Sequence, residues 1–379
     1  SNLGMLLKTV KRALAIIAGF AGSITATSAF AEYALNLPRG VSPISQEAYD
    51  LHMLILWVCV AIGVVVFGAM FVSIVKHRKS KGVQPAQFHE STAGEIVWTI
   101  VPFLILVGMA IPATKALVAM EDTSNADLSI KVTGYQWKWG YDYMDEGVSF
   151  ISTLSTPKEE IYNQADKGEN YLLEVDNPIV VPVNKKVRLL ITSDDVIHAW
   201  WVPKLGMKKD AIPGFINEMW FKADKEGTYR GQCAELCGKD HGFMPIVVVA
   251  KNESDYNQWI ADQKGAAAAD EAAAERDWGM DELMARGEKV YGTSCAACHQ
   301  ASGEGLPGAF PGLKGSAIAI GPKEAHIDIV MNGKPGTSMA AYAAQLSDID
   351  LAAVITYERN AWGNNAGDLI QPSEVKAAR

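Results

Sequence analysis

The sequence predicts a multidomain membrane protein, with a transmembrane α-helical hairpin followed by an all-β sandwich and a small all-α domain. Three observations carry that prediction. Two runs without a formal charge, 51–75 and 96–114, are long enough to cross about 30 Å of hydrocarbon as helices. Short β-branched and aromatic runs between turn residues follow them. Near the C-terminus, Cys295-Ala-Ala-Cys298-His299 lies in a region of helical periodicity. At 379 residues with 49% apolar side chains, the chain is too long for one ordinary domain. Its formal charge of −9 lacks a basic footprint, so no nucleic-acid partner is expected.

Residues 1–31 read as a secretory signal: Lys8, Lys11 and Arg12 precede an apolar stretch from Ala13, and Ala29-Phe30-Ala31 offers a cleavage site. Met5 is a candidate for the true start. The next segment, 32–120, holds two membrane helices at about 51–75 and 96–120, the second running past a snorkelling Lys115 with Pro102 and Pro112 as kink sites. Neither run has the polar face that a surface helix of a soluble domain needs. Lys76, Arg78, Lys79 and Lys81 outweigh Glu90 and Glu95 in the intervening loop, which places it in the cytoplasm and both outer ends on the exported side. That orientation agrees with the signal segment.

Residues 121–260 contain strand-like runs such as 129–133, 186–191 and 245–249, divided by turn signals at Asp176-Asn177-Pro178 and Ile212-Pro213-Gly214. A linker is expected at 261–280, where 265–275 is almost wholly Ala and acids and partly helical. Residues 281–365 form the small α domain, with helices at 281–291 and 348–360 around a Gly- and Pro-rich middle, and 366–379 form a tail.

The five cysteines fall as one stray thiol, Cys59, and two close pairs. In the first pair, Cys233-Ala-Glu-Leu-Cys237-Gly-Lys-Asp-His241-Gly-Phe-Met244 collects two thiols, an imidazole and a thioether in one loop before a predicted strand. Soft sulfur with imidazole favours copper or zinc, and the thioether tilts the choice to copper. His198, in the Asp194-Asp195-Val196-Ile197-His198 loop, is a second candidate imidazole, though a lone histidine is more often simply buried and hydrogen-bonded. A Cys233–Cys237 disulfide is the alternative for the thiols alone.

This loop, together with Ala211-Ile212-Pro213-Gly214 and the run Tyr135-Gln136-Trp137-Lys138-Trp139, resembles cytochrome c oxidase subunit II from about Ser45 to Ala250. The resemblance implies a cupredoxin-like domain holding the dinuclear copper centre CuA. Cys233 and Cys237 would bridge the coppers, His198 and His241 would be terminal ligands, Met244 a weak ligand, and the Glu235 carbonyl another. The Glu235 side chain would reach a Mg or Mn ion at the contact with the catalytic subunit. Trp137 would be where electrons enter, although packing explains an aromatic strand residue equally well. Glu95 resembles the family's carboxylate at the cytoplasmic mouth of a proton channel, and an acid also sits favourably at a helix start.

The second pair lies in the C-x-x-C-H haem-attachment pattern, where Cys295 and Cys298 form thioethers and His299 takes the proximal iron position. A disulfide or a zinc site is the alternative, but no second zinc-ligand pair follows. Met339, in the Gly336-Thr337-Ser338-Met339 loop, is preferred over Met331 as the distal ligand of haem c because a loop turns more freely toward the iron. The region resembles a class I cytochrome c. His326 has no partner motif and reads as structural or surface.

The expected role is the electron-input subunit of a bacterial haem-copper cytochrome c oxidase, passing electrons from haem c to CuA and on to haem a of subunit I. Oxygen reduction and proton pumping are expected in that other subunit. Subunit III, a cytochrome c donor and membrane lipid are expected partners, with the metal domains on the periplasmic face of the bacterial inner membrane. The rival is a membrane-tethered carrier or copper protein outside an oxidase. Nitrous oxide reduction would need a propeller domain for which the chain has no room.

Overall fold

The computed structural model describes residues 36–84 and 86–379, so the expected signal segment lies outside the described residues. Helix α1 (Pro43–Lys76) begins at a reciprocal cap: the Ser42 side chain accepts from the Ser45 N–H and Ser45 returns the bond, with Pro43 in the first turn. Helix α2 (Thr92–Glu121) begins where Ser91 accepts from the Gly94 N–H, and it passes through Pro102 and Pro112 without interruption. Both helices start before the expected spans, because hydropathy marks the segment suited to hydrocarbon whereas serine caps mark where the helix begins. At 34 residues α1 is about 51 Å long, more than one bilayer core requires. Large apolar side chains such as Phe67, Phe71 and Phe103 point outward along both helices.

The outer ends of the hairpin are tied to the sandwich. Ser42 Oγ donates to the Leu205 carbonyl at 2.7 Å. Trp220 Nε1 donates to the Ala119 carbonyl at 3.1 Å, and Lys209 pairs with Glu121 at 3.0 Å. The charged loop therefore stands at the far end of the hairpin from the β domain.

Ten strands build that domain: β1 (Leu128–Tyr135), β2 (Lys138–Tyr143), β3 (Val148–Ser152), β4 (Ile179–Pro182), β5 (Val187–Ser193), β6 (His198–Trp201), β7 (Lys208–Ala211), β8 (Asn217–Phe221), β9 (Gly227–Cys233) and β10 (Pro245–Lys251). They form two sheets ordered β3-β2-β1-β5-β8 and β4-β10-β9-β6-β7. Side chains of β2 alternate, so Trp139, Tyr141 and Tyr143 all face the other sheet, and each is essentially fully buried. Each also satisfies its polar atom across the gap. Trp139 Nε1 donates to the Met244 carbonyl at 3.3 Å, and Tyr141 Oη accepts from Trp200 Nε1 at 3.3 Å. Tyr143 Oη donates to the Val180 carbonyl at 2.7 Å and accepts from the Val180 N–H at 2.9 Å. Burying each ring stabilises by roughly 1.5–3 kcal/mol, and its hydrogen bond removes the penalty of a buried orphan.

A short helix α3 (Lys158–Ile161) lies in the β3–β4 connection. Helix α4 (Glu253–Ala274) occupies most of the expected linker, since an alanine run favours helix strongly. Tyr256 and Ile260 bury its first half against the sandwich, and Asp270 faces Arg286 at 3.6 Å on the next domain. That domain contains α5 (Met280–Ser294), α6 (Ala296–His299), α7 (Lys323–Asn332), α8 (Asp348–Asn360) and α9 (Pro372–Ala378). Helices α5 and α8 touch closely at Gly287, where a Cβ would stand 2.1 Å from the Ala353 carbonyl oxygen. The Tyr143→Phe variant should lose about 1–3 kcal/mol of stability, because it strands both polar groups of Val180. Thermal unfolding of the full chain in detergent checks this, and an unchanged midpoint contradicts it.

Candidate functional site

Sheet register assembles the first site. Strand β6 pairs with β9, with Trp200 opposite Cys233, so His198 at the start of β6 comes to lie beside the end of β9. The loop from Cys233 to Pro245 then turns into β10, which pairs back on β9. Gly134 on β1 leaves the space for the imidazole, because a Cβ there would meet His198 Cδ2 at 2.7 Å.

The donor atoms form a run. His198 Nδ1 lies 3.9 Å from Cys233 Sγ, Cys233 Sγ lies 3.8 Å from Cys237 Sγ, and Cys237 Sγ lies 3.4 Å from His241 Nδ1. Met244 Sδ is 3.5 Å from Cys237 Sγ, and the Glu235 carbonyl oxygen is 3.4 Å from Cys233 Sγ. The Glu235 side chain is exposed. The two cysteines are free thiols, so the disulfide alternative is not adopted. Each imidazole faces its own sulfur, and the set of two thiols, two imidazoles and a thioether suits soft metal ions such as copper.

The electrostatics favour a thiolate. The neighbouring Cys237 thiol donates to Cys233 and, against the cost of burial, this bond and those from His198 and the main chain pull Cys233 down to about 3. The remaining proton is held on Cys237, pushed up by the Cys233 sulfur and by burial. Burial would lower His198, but its bonds to Asp195 and Cys233 outweigh that and raise it. Asp195 is the orienting group: its carboxylate accepts from His198 Nε2 at 2.8 Å and from the main-chain N–H of Gln136 and Val196, both at 2.6 Å. With the ring proton fixed on Nε2, Nδ1 turns toward the sulfurs.

The second site stands at the C-terminal end of α5. Cys295 is buried and caps the start of the single turn of α6, and Cys298, half-buried, lies within that turn. His299 Nδ1 donates to the Pro311 carbonyl at 2.8 Å, which leaves Nε2 free to bind a metal. That arrangement fits a C-x-x-C-H haem. Met331 is buried on α7, whereas Met339 is half-buried on the loop between α7 and α8. His326 is buried and pairs with buried Glu358 at 2.9 Å, so of the two readings of this histidine the structural one holds.

Trp137 is half-buried beside the first site and its Nε1 donates to the Cys237 carbonyl at 3.2 Å. Glu95 is exposed in the first turn of α2, far along the chain from either cluster. Cys59 is exposed on α1. Sequence reasoning missed Asp195, whose only signal was an acid three residues before His198, next to an equally plausible Asp194. It also missed the Pro311 carbonyl, which carries no side-chain signature. Asp195→Ala should lower copper affinity about 10–100-fold by freeing the His198 ring. A chelator-competition titration reads this, and an unchanged affinity contradicts the orienting role.

Comparison with known proteins matches the domains that carry the two sites. Residues 128–251 match the model of the cytochrome c oxidase subunit II periplasmic domain, and 31–116 match its transmembrane domain. Residues 282–357 match cytochrome c oxidase, cbb3-type, subunit III, a haem c domain. Among curated relatives, the probable cytochrome c oxidase subunit 2 of Rickettsia prowazekii is 43% identical over 221 residues, covering 58% of this chain and 69% of its own. The protein of that name from Rickettsia bellii is 40% identical over 227 residues, covering 60% and 83%. Cytochrome c oxidase subunit 2 of Cereibacter sphaeroides is 35% identical over 272 residues, covering 65% and 90%. With its membrane hairpin, its copper-type cluster and its C-terminal haem c domain, the chain belongs to the cytochrome c oxidase subunit 2 family, a component of the haem-copper oxidase enzyme complex.

Proposed function

We propose that this chain is the electron-input subunit of a haem-copper cytochrome c oxidase, with the order haem c, then CuA, then haem a of subunit I. The observation that supports a step between haem c and CuA is that the two segments touch: Lys239 Nζ, in the Cys233–Met244 loop, donates to the carbonyl of Ala297 inside the C-x-x-C-H segment at 3.3 Å. When bound, the copper pair and haem c would supply reversible one-electron storage. The residues of the chain hold that store in place. Cys233 and Cys237 would bridge the coppers, His198 and His241 would cap them, and Met244 and the Glu235 carbonyl would complete the weak contacts. Cys295 and Cys298 would anchor the haem, His299 would take its proximal face, and Met339 its distal face, because its loop position leaves the side chain freer than that of Met331 on α7.

Trp137 is the proposed point at which electrons approach the copper ligands, supported by its bond to the Cys237 carbonyl. The exposed Glu235 carboxylate is the proposed ligand for a Mg or Mn ion, with water and the catalytic subunit filling the other positions. Glu95, at the end of the hairpin remote from the sandwich, is the proposed carboxylate at a proton-channel mouth. Proton pumping and oxygen reduction belong to subunit I, and subunit III, a cytochrome c donor and lipid complete the proposed setting. The basic loop between α1 and α2 supports a bacterial inner-membrane orientation with the copper and haem domains periplasmic.

The test is Cys233→Ser in the assembled complex. Oxygen uptake should fall at least a hundredfold while haem c attachment and its reduction by donor persist, since the block lies downstream of haem c. Normal oxygen uptake would overturn the order, and a chain that purifies without subunit I would favour a tethered carrier.

A further inference from the structure

The copper loop and the haem-attachment segment sit on different domains, and a continuous set of contacts joins them. Trp137 donates to the Cys237 carbonyl. Its chain neighbour Lys138 holds its ammonium 4.6 Å above the ring of Tyr342. Tyr342 Oη in turn donates to the carbonyl of Ser294 at 2.9 Å, one residue before Cys295. Tyr342 also belongs to the loop that carries Met339, three residues earlier, and its main-chain N–H is pinned to the Val330 carbonyl at 3.1 Å.

Lys138 is an unusual choice for this position. It is only 5% exposed, and a lysine that deep is costly unless something compensates its charge. The Tyr342 ring face supplies part of that compensation. Burial, partly opposed by the Asp195 carboxylate, draws the ammonium down to about 8. The residue stands between Asp195, which orients His198, and the two haem-attachment cysteines. A purely structural core position in an aromatic strand would be filled more cheaply by an apolar side chain.

We infer that Lys138 and Tyr342 form the junction that positions the haem domain for transfer to the copper centre, an inference that rests on the relay proposed above. Both are positioning residues. The step they serve moves one electron and no proton: the haem c iron is oxidised and the copper pair is reduced. The junction acts by fixing distance, with Lys239 at Ala297 as a second, exposed contact.

The experiment uses the full chain within the purified complex, haem attached and copper loaded. Haem c is reduced by a flash from a ruthenium photoreductant, and the internal transfer is followed optically. Lys138→Met and Tyr342→Leu should each slow that transfer at least tenfold, and Lys138→Arg should restore most of the rate. Redox titration of both centres should show their relative equilibrium constant changed by less than tenfold, about 59 mV for one electron, so that slower transfer reports geometry rather than driving force. Amide hydrogen exchange in 294–299 should quicken in both variants. Wild-type rates and exchange in both variants would overturn the junction. Absence of haem-to-copper transfer in the wild type would instead overturn the relay itself.

Discussion

The pairing of β6 with β9 is the constraint on which the metal centre depends. Cys233, Cys237, His241 and Met244 share one loop and would cluster in many folds, but His198 reaches them only because Trp200 lies opposite Cys233 in the ladder. A one-residue slip in that register would turn every side chain of β6 to the other face and remove the imidazole from the sulfurs. The surrounding core guards against such a slip. Trp200 is fully buried, stacks on Phe221 at 6.2 Å and bonds to Tyr141, so the register that packs the sandwich is also the register that builds the site.

Strand β2 extends the same logic from packing to function. Its inward side chains, Trp139, Tyr141 and Tyr143, clamp the two sheets together through bonds made across the gap. Its first residue, Lys138, and the preceding Trp137 sit at the end of the strand nearest the copper loop, where one touches a ligand's main chain and the other the haem domain. One end of a single strand therefore touches both the copper loop and the haem domain. The alanine-rich helix α4 complements it: its first half is packed on the sandwich through Tyr256 and Ile260, and its far end is held to the haem domain by Asp270 with Arg286. The two domains are held by this helix as well as by their facing loops.

Sequence made some of this legible and not the rest, for physical reasons. Ligands within one loop reveal themselves by spacing, as Cys233 to Met244 and Cys295 to His299 do. His198 lies 35 positions before Cys233, so the residues alone offered it only as one candidate imidazole until the family resemblance, and then the sheet register, tied it to the cysteines. Asp195 was hidden by its neighbour Asp194, since periodicity cannot say which carboxylate faces inward from a loop. Lys138 was invisible as a buried group because its cover comes from another domain, over 200 residues later. The membrane helices were found by their apolar runs, but their starts were set by Ser42 and Ser91, whose capping bonds lie outside what hydropathy measures. The expected linker became helix because alanine stabilises helix locally while Tyr256 and Ile260 anchor its beginning.

The central claim is that Cys233, Cys237, His198 and His241 hold a dinuclear copper centre beside a covalent haem. Metal analysis with electron paramagnetic resonance on the intact, haem-attached and copper-loaded chain tests it most directly. The account predicts a mixed-valence dinuclear copper signal together with one covalent haem per chain. A haem signal accompanied by absent or mononuclear copper would contradict it.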